Sequence, residues 1–267
     1  MHLSPLLVFD FDGVLVDGMA EYWWSARRAA LALRPQLCLP EQAPAGFRLL
    51  RPQIHKGWEM VLCALELSRS DLDLAAFLAE YNAHTEAALE RWQLNAAQLQ
   101  GSLEAVRHAA LRDDRDGWLA LHRPYPGVPE RLRRLETEGS PWLVLTTKGE
   151  AFARELLAAA GLKPLAVYGH ERGSKPEVLL QLSREQPLGQ GARGAEAPPA
   201  RGALRPLWFI EDRRPTLERV RATDGLAGVR CFLVSWGYLG PGDQHELPPG
   251  IQLLEPQQFA APLARWP

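Results

Sequence analysis

Residues 6–18 read LLVFDFDGVLVDG. The run Leu6-Leu7-Val8-Phe9 is short, bounded and apolar at every position, the pattern of a strand covered on both faces. It then meets Asp10-Phe11-Asp12-Gly13, two carboxylates one residue apart. A buried strand does not carry unpaired carboxylates, because taking an uncompensated charge out of water costs far more than a strand contact contributes. Either the strand end is exposed and the acids are incidental, or something cationic sits there. Gly13 supplies a position where the chain can turn sharply after the strand.

Further strands appear only much later. Trp142 to Thr147 (WLVLTT), Leu165 to Tyr168, Leu207 to Ile210 and Val229 to Val234 are short apolar runs, the last of them the final strand expected. Between them lie helical stretches at Val128 to Glu138, Glu150 to Ala160, Pro176 to Arg184 and Pro215 to Arg221. Gly139 and Gly161 stop two of these, and Pro215 suits a first helical turn. Strands spaced by helices predict an α/β fold, a doubly wound parallel sheet.

The intervening residues have another texture. Glu21 to Leu33, Lys56 to Leu67, Asp73 to Glu90 and Leu94 to Leu111 show apolar residues at helical spacing. Pro35, Pro40, Pro44 and Pro52 break up the early part, and Pro124-Tyr125-Pro126-Gly127 closes the block. Four or five helices and no strand are expected over 18–122. The first strand therefore belongs with the distant second half. The expected organisation is an α/β core of 1–17 plus 123–267, interrupted by an inserted all-helical domain over 18–122. A Gly-, Pro- and Ala-rich stretch, 187–204, reads as a flexible surface insert in that core. Gly189, Gly191 and Gly194 in it fit G-x-G-x-x-G, but they follow a helix and run into AEAPPARGA. A dinucleotide fingerprint must instead follow a strand and open a helix.

The chain has 267 residues, with 30 basic and 32 acidic ones, so no excess of positive charge is available to neutralise nucleic-acid phosphates. With 46% hydrophobic and 23% charged residues it has a globular composition. No run reaches the ~20 apolar residues of a membrane span, and the start lacks the basic region of a signal peptide. Cys38, Cys63 and Cys231 are widely spaced and form no CxxC pair, so they read as reduced, buried residues of a cytoplasmic protein. The seven His show no metal-ligand spacing. No nucleic acid or membrane partner is expected, and a monomer or homodimer is.

Three core strands end in polar residues: Asp10 and Asp12, Thr146 and Thr147, Glu211 and Asp212. Lys175 lies in the turn before a helix. In open parallel sheets, ligands bind beyond the carboxyl ends of the strands, so these groups can converge.

DFDGVLVDG resembles the first motif of the haloacid dehalogenase superfamily of phosphohydrolases. WLVLTTKG (142–149) is similar to its second motif, GSKPEVLLQL (173–182) to its third and WFIEDR (208–213) to its fourth. The resemblance covers most of the chain outside the helical block, which corresponds to a C1-type cap. It implies a Mg²⁺-dependent phosphatase acting on a small phosphate monoester. Asp10 would be the nucleophile that forms an aspartyl phosphate. Asp12 would protonate the leaving alkoxide and then activate water. Thr146 and Lys175 would complete the catalytic set. The metal would be held by Asp10, Asp212 and the Asp12 main-chain carbonyl, with Glu211 in support. Dehalogenating members lack an acid at the position of Asp12, so its presence favours phosphoryl transfer. One departure stands out: many relatives read Gly-Asp where this chain reads Glu211-Asp212. A phosphomutase, a phosphonate-cleaving enzyme using Lys56 (the only lysine of the helical block) or a silent binding protein on the same scaffold remains open.

Substrate contacts are expected at Gly13, Thr147, Arg51 and Lys56. Arg51 and Lys56 lie in RLLRPQIHKGWEM (48–60), where a second anionic group could bind, although a solvated helix start with one packed Trp explains most of that segment. Trp23 and Trp24 read as core of the helical block, Lys148 as a solvated residue, and Asp17 as structural.

Overall fold

The computed structural model describes residues 4–185 and 204–267. The expected insert over 187–204, with Gly189, Gly191 and Gly194, lies outside the described residues except for Leu204. The chain divides into two compact units, one of residues 1–17 and 124–267 and one of residues 18–123.

The first unit is built on a sheet. Its strands are β1 (Leu6–Phe9), the short β2 (Val16–Asp17), β3 (Arg123–Pro124, straddling the unit boundary), β4 (Trp142–Leu145), β5 (Val167–Tyr168), β6 (Leu207–Glu211), β7 (Arg230–Val234) and β8 (Ile251–Leu254). Six of them form one sheet in the order β5-β4-β1-β6-β7-β8, with every pairing parallel. This is the doubly wound α/β arrangement that the strand and helix spacing predicts.

Alternation across the pleat explains why the central strands are apolar throughout. Leu6, Val8, Leu143, Leu145, Leu207, Phe209, Cys231 and Leu233 share one core cluster with Val178, Leu179 and Leu182 of the helix Lys175–Arg184. The intervening residues face the other side, where Phe9 packs edge-on to Trp142 and Phe259, and Phe232 meets Trp208 and Trp266. Each such fully buried side chain contributes roughly 1.5–3 kcal/mol relative to exposure. Arg131, wholly buried, is accommodated because Nε donates to the Phe259 carbonyl (3.0 Å) and Nη1 pairs with Glu138 (2.9 Å).

Two features of this unit differ from expectation. The sheet continues past Val234 into β8. That edge strand is half-buried and only four residues long, with Pro248-Pro249-Gly250 before it and Pro256 after it, so IQLL offers no clear period. Lys148 is 5% exposed rather than solvated.

The second unit is helical: Met19–Leu33, Ala45–Leu50, Gly57–Glu66, Leu74–Ala79, Tyr81–Trp92, Ala96–Asp113 and Arg115–Ala120, with a 3₁₀ turn at Arg51–Gln53. Seven helices stand where four or five are expected. The stretch 73–90 is two helices, because the backbone leaves helical angles at Glu80 (φ −126°, ψ 48°). Asp73 caps the first of them by accepting the Ala76 N–H at 2.9 Å. Two other helices are single short turns hidden among prolines and charges.

Charged groups inside this unit are paired. Glu21, completely buried, accepts two hydrogen bonds from Arg107 (2.7 and 2.8 Å) and one from Trp118 Nε1 (3.3 Å). Glu66 accepts from Arg69, Arg91 and Trp92 Nε1. Glu59 accepts from the His55 N–H and the Tyr81 hydroxyl. Trp23 is core as expected, packed edge-on to Phe47, while Trp24 is half-buried under the Arg28 guanidinium. Among the described residues no helix is long and apolar enough to cross a membrane.

The cysteines need one correction. Cys63 and Cys231 are buried, but Cys38 is exposed in the loop after the first helix. Burial pushes the Cys63 thiol up to about 12 and the Cys231 thiol up to about 11. Native protein should therefore react with a thiol-directed reagent at Cys38 alone, with Cys63 and Cys231 labelling only on unfolding. Mass spectrometry of briefly labelled protein checks this, and rapid native labelling of Cys63 would contradict the burial.

Candidate active site

β1 is flanked by β4 and β6. From β1 the chain passes to β4 and β5 on one side and then returns to β6 on the other. Such a reversal opens a crevice at the carboxyl ends of the strands. Asp10 directly follows β1, Thr146 directly follows β4, and Glu211 ends β6 with Asp212 after it. The register aligns Phe9 with both Val144 and Ile210, and the Asp10 N–H still donates to the Ile210 carbonyl at 2.8 Å. Sequence positions more than 130 residues apart thus meet at one rim.

Lys175 opens the helix Lys175–Arg184. Its start is set by Glu177, which accepts the Ser174 N–H at 2.7 Å, and by Pro176 in the first turn. The Lys175 Nζ lies 2.8 Å from Asp10 Oδ1 and 2.6 Å from Glu211 Oε2, with all three side chains buried. Burial works against the ammonium, but the Asp10 and Glu211 carboxylates outweigh it and hold Lys175 above the ordinary lysine range. Burial, then the charge of Glu211, raises Asp10 to about 7, against the opposing pull of Lys175. Glu211 is likewise raised, by burial first and then by Asp212.

Glu211 also organises its own neighbours. Its Oε1 accepts the backbone N–H groups of Asp212 (3.0 Å) and Arg213 (3.1 Å). Asp212 Oδ2 accepts the Tyr238 N–H at 2.8 Å. The Tyr238 hydroxyl in turn donates to Asp17 Oδ1 at 2.7 Å, which gives Asp17 the structural part expected of it. Room for Asp212 comes from two glycines. A Cβ on Gly13, whose φ is +89°, would stand 1.9 Å from Asp212 Oδ2, and one on Gly237 would stand 2.2 Å from Asp212 Cβ. The Gly13 N–H is engaged by the Val16 carbonyl at 2.9 Å.

Ligand oxygens of Asp10, Glu211 and Asp212 lie within 4.8 Å of one another. Around them the Asp10, Asp12, Glu211 and Asp212 carboxyl groups face the Lys148 and Lys175 ammonium groups. A cluster of carboxyl oxygens suits a hard divalent cation of the Mg²⁺ kind. Asp12 stands apart from this cluster, with Oδ2 3.5 Å from Lys148 Nζ.

Thr146 is buried, and its Oγ1 accepts the Lys148 N–H at 3.0 Å, which leaves the hydroxyl hydrogen to donate elsewhere. Thr147 is exposed. Glu218, six residues past Asp212, pairs with Arg214 at 2.8 Å and serves its own helix. In the helical unit Arg51 is buried over the Tyr22 ring, 4.7 Å from its centroid, which replaces the solvated reading, whereas His55 and Lys56 are exposed. Sequence reasoning missed the parts played by Lys148, Gly237 and Tyr238. Only Lys148, two residues past Thr146, carried a readable signal.

A family model described as haloacid dehalogenase-like hydrolase matches residues 5–186, about two thirds of the chain. An N-acetylmuramic acid 6-phosphate phosphatase from Pseudomonas aeruginosa is 28% identical over 250 residues, covering 91% of this chain and 86% of its own length. Among solved structures, a predicted phosphoglycolate phosphatase from Haemophilus somnus is similar with a TM-score of 0.56 at 16% identity, covering 96% of this chain and 95% of that one. A haloacid dehalogenase-like family protein from Streptococcus pneumoniae gives a TM-score of 0.53 at 15% identity, with 94% and 93% covered.

The glycine geometry makes a direct prediction. Gly13→Ala forces a side chain into the left-handed region and into Asp212, and should lower stability by about 1–3 kcal/mol or displace Asp212. Urea denaturation, together with a divalent-cation titration, checks this. An unchanged midpoint with unchanged cation affinity would contradict both the strain at φ +89° and the close approach of Asp212.

Proposed function

The chain belongs to the haloacid dehalogenase-like hydrolase family, and from that premise we propose that it is a Mg²⁺-dependent phosphatase of small phosphate monoesters. The observation that carries the reading is the buried Lys175 ammonium set between Asp10 and Glu211, beside Asp212 and at the ends of adjacent parallel strands. That arrangement keeps a carboxylate at hand as nucleophile in a place where carboxylates alone would repel a phosphoryl dianion.

In the proposed reaction an Asp10 carboxylate oxygen attacks phosphorus. The ester P–O bond breaks, and the leaving alkoxide takes the proton held by Asp12. Asp12, now a carboxylate, removes a proton from water. The water oxygen bonds to phosphorus and the Asp10–phosphorus bond breaks, which restores Asp10 and releases inorganic phosphate. Thr146 donates its hydroxyl to the phosphoryl oxygens, and Lys175 offsets the negative charge gathered between Asp10 and phosphate. Asp10 and Asp212, with the Asp12 carbonyl, would hold Mg²⁺, which when bound neutralises phosphoryl charge. Glu211, occupied by Lys175 and two backbone N–H groups, is assigned to orientation rather than direct ligation.

Substrate choice is assigned to the helical unit as a cap, with Lys56 and Arg51 as the cations for a second anionic group, and Gly13 and Thr147 near the phosphate. N-acetylmuramic acid 6-phosphate and phosphoglycolate, taken from the names of similar proteins, are the first substrates to test. Three free cysteines support a reducing, cytoplasmic setting, and a monomer or homodimer is the proposed state.

Purified protein should release phosphate from members of a phosphorylated-metabolite panel in Mg²⁺ and lose that activity in EDTA. Asp10→Asn should reduce turnover by at least about 1,000-fold while leaving the fold intact. A well-folded protein that hydrolyses no monoester, or an Asp10→Asn variant as active as the parent, would overturn the reading.

A further inference from the structure

Lys148 is a buried charged side chain at the sheet's carboxyl rim for which the proposed reaction provides no task. It is 5% exposed, in a turn whose geometry is tightly fixed. Its N–H donates to Thr146 Oγ1 at 3.0 Å, and its carbonyl accepts the His170 N–H at 3.3 Å. Its ammonium reaches back to β1's turn and stops 3.5 Å from Asp12 Oδ2, where the lysine side chain is 2% and the aspartate side chain 13% exposed.

Asp12 has more need of such a partner than Asp10 has. Asp10 continues the β1 ladder and is gripped by Lys175. Asp12 lies beyond the strand, in the turn closed by the Gly13 N–H to Val16, and its backbone makes a single bridge to Val16. Its two carboxylate oxygens are unequal. Oδ2 faces Lys148, whereas Oδ1 is buried and accepts no hydrogen bond among the described residues. A carboxyl group that must give a proton to one oxygen atom and take one from another has to be held in one orientation.

We propose that Lys148 is a positioning residue for Asp12: its ammonium, 3.5 Å from Oδ2, fixes the orientation in which the carboxyl group meets the leaving-group oxygen. The inference rests on the phosphatase reading above. It places Lys148 in proton delivery, not in binding the phosphate. The two parts have different signatures. Phosphate binding would help every monoester equally. Proton delivery matters for an alkyl phosphate, whose alkoxide cannot leave unprotonated, and hardly at all for p-nitrophenyl phosphate, whose phenolate leaves without a proton.

The test compares kcat/KM, which reports transfer to Asp10 and not the later hydrolysis, for β-glycerol phosphate and p-nitrophenyl phosphate with Mg²⁺. In Lys148→Met the value for β-glycerol phosphate should fall on the order of 100-fold, the scale of a misplaced catalytic group. For p-nitrophenyl phosphate it should fall less than about threefold on the same ground that no proton is required. Lys148→Gln, measured alongside, keeps the test available if the methionine variant folds poorly, and Lys148→Arg, which retains the charge, should recover most of the β-glycerol phosphate activity. Asp12→Ala should show the same selectivity between substrates, and adding Lys148→Met to it should cost nothing further. Equal losses on both substrates, or additive losses in the double variant, would overturn the assignment while leaving the phosphatase reading intact. A parent protein inactive on both substrates and on the metabolite panel would remove the phosphatase reading, and the assignment with it.

Discussion

The Lys175 ammonium between Asp10 and Glu211 is the interaction on which the rim of this sheet depends. Two buried carboxylates on adjacent strands would repel each other and would each lose hydration; in an isolated apolar setting one of them would simply take up a proton. One lysine 2.6–2.8 Å from both converts that repulsion into a connected network. Removing one member of such a buried set commonly costs about 3–5 kcal/mol, because the remaining charges are left uncompensated. The helix that delivers Lys175 packs Val178, Leu179 and Leu182 on the same sheet face that carries Leu6 and Val8. The position of the charge is thus set by ordinary apolar packing.

The same logic of close approach governs Asp212. A carboxylate can enter the space beside the first turn only because Gly13 and Gly237 have no side chains to occupy it. Tyr238 then fixes the acid with its backbone N–H, and its hydroxyl ties the arrangement to Asp17 at the end of β2. The acidic cluster is therefore preorganised by backbone and by neighbouring loops.

The legible parts of the fold were those in which one physical signal dominated. β1, β4 and β6 are largely buried on both faces, so their runs are apolar until they end abruptly on polar residues. Asp10, Thr146 and Asp212 were visible for that reason, since a polar residue at the end of a buried run has to be explained, whereas Lys175, at the start of a helix, was visible through the resemblance of GSKPEVLLQL to the third motif. β8 was illegible because an edge strand buries little and its four residues sit between prolines. The split of 73–90 was illegible because Glu80, which breaks the helix, is itself a good helix former; tertiary packing overrode propensity there. Lys148 and Cys38 were misread in opposite directions. A lysine next to a turn is usually solvated and a lone cysteine usually buried. Only the partner at Asp12 and the course of the loop after Leu33 reverse those expectations.

The substitution of glutamate for the glycine common in similar fourth motifs has a physical account in this chain. Glu211 ends a central strand at zero exposure, a costly place for a carboxylate. Its length lets one oxygen reach Lys175 while the other folds back to accept two consecutive backbone N–H groups. Those N–H groups belong to Asp212 and Arg213, the residues that lead the chain out of the sheet, so the carboxylate fixes the backbone that presents Asp212. A glycine could supply the turn but neither the second grip on Lys175 nor the clamp on the following peptide units. Glu211 thereby links the counter-ion of Asp10 to Asp212. The rim holds together as one network, and Asp12, the residue that lies outside the strands, stands beside it on Lys148.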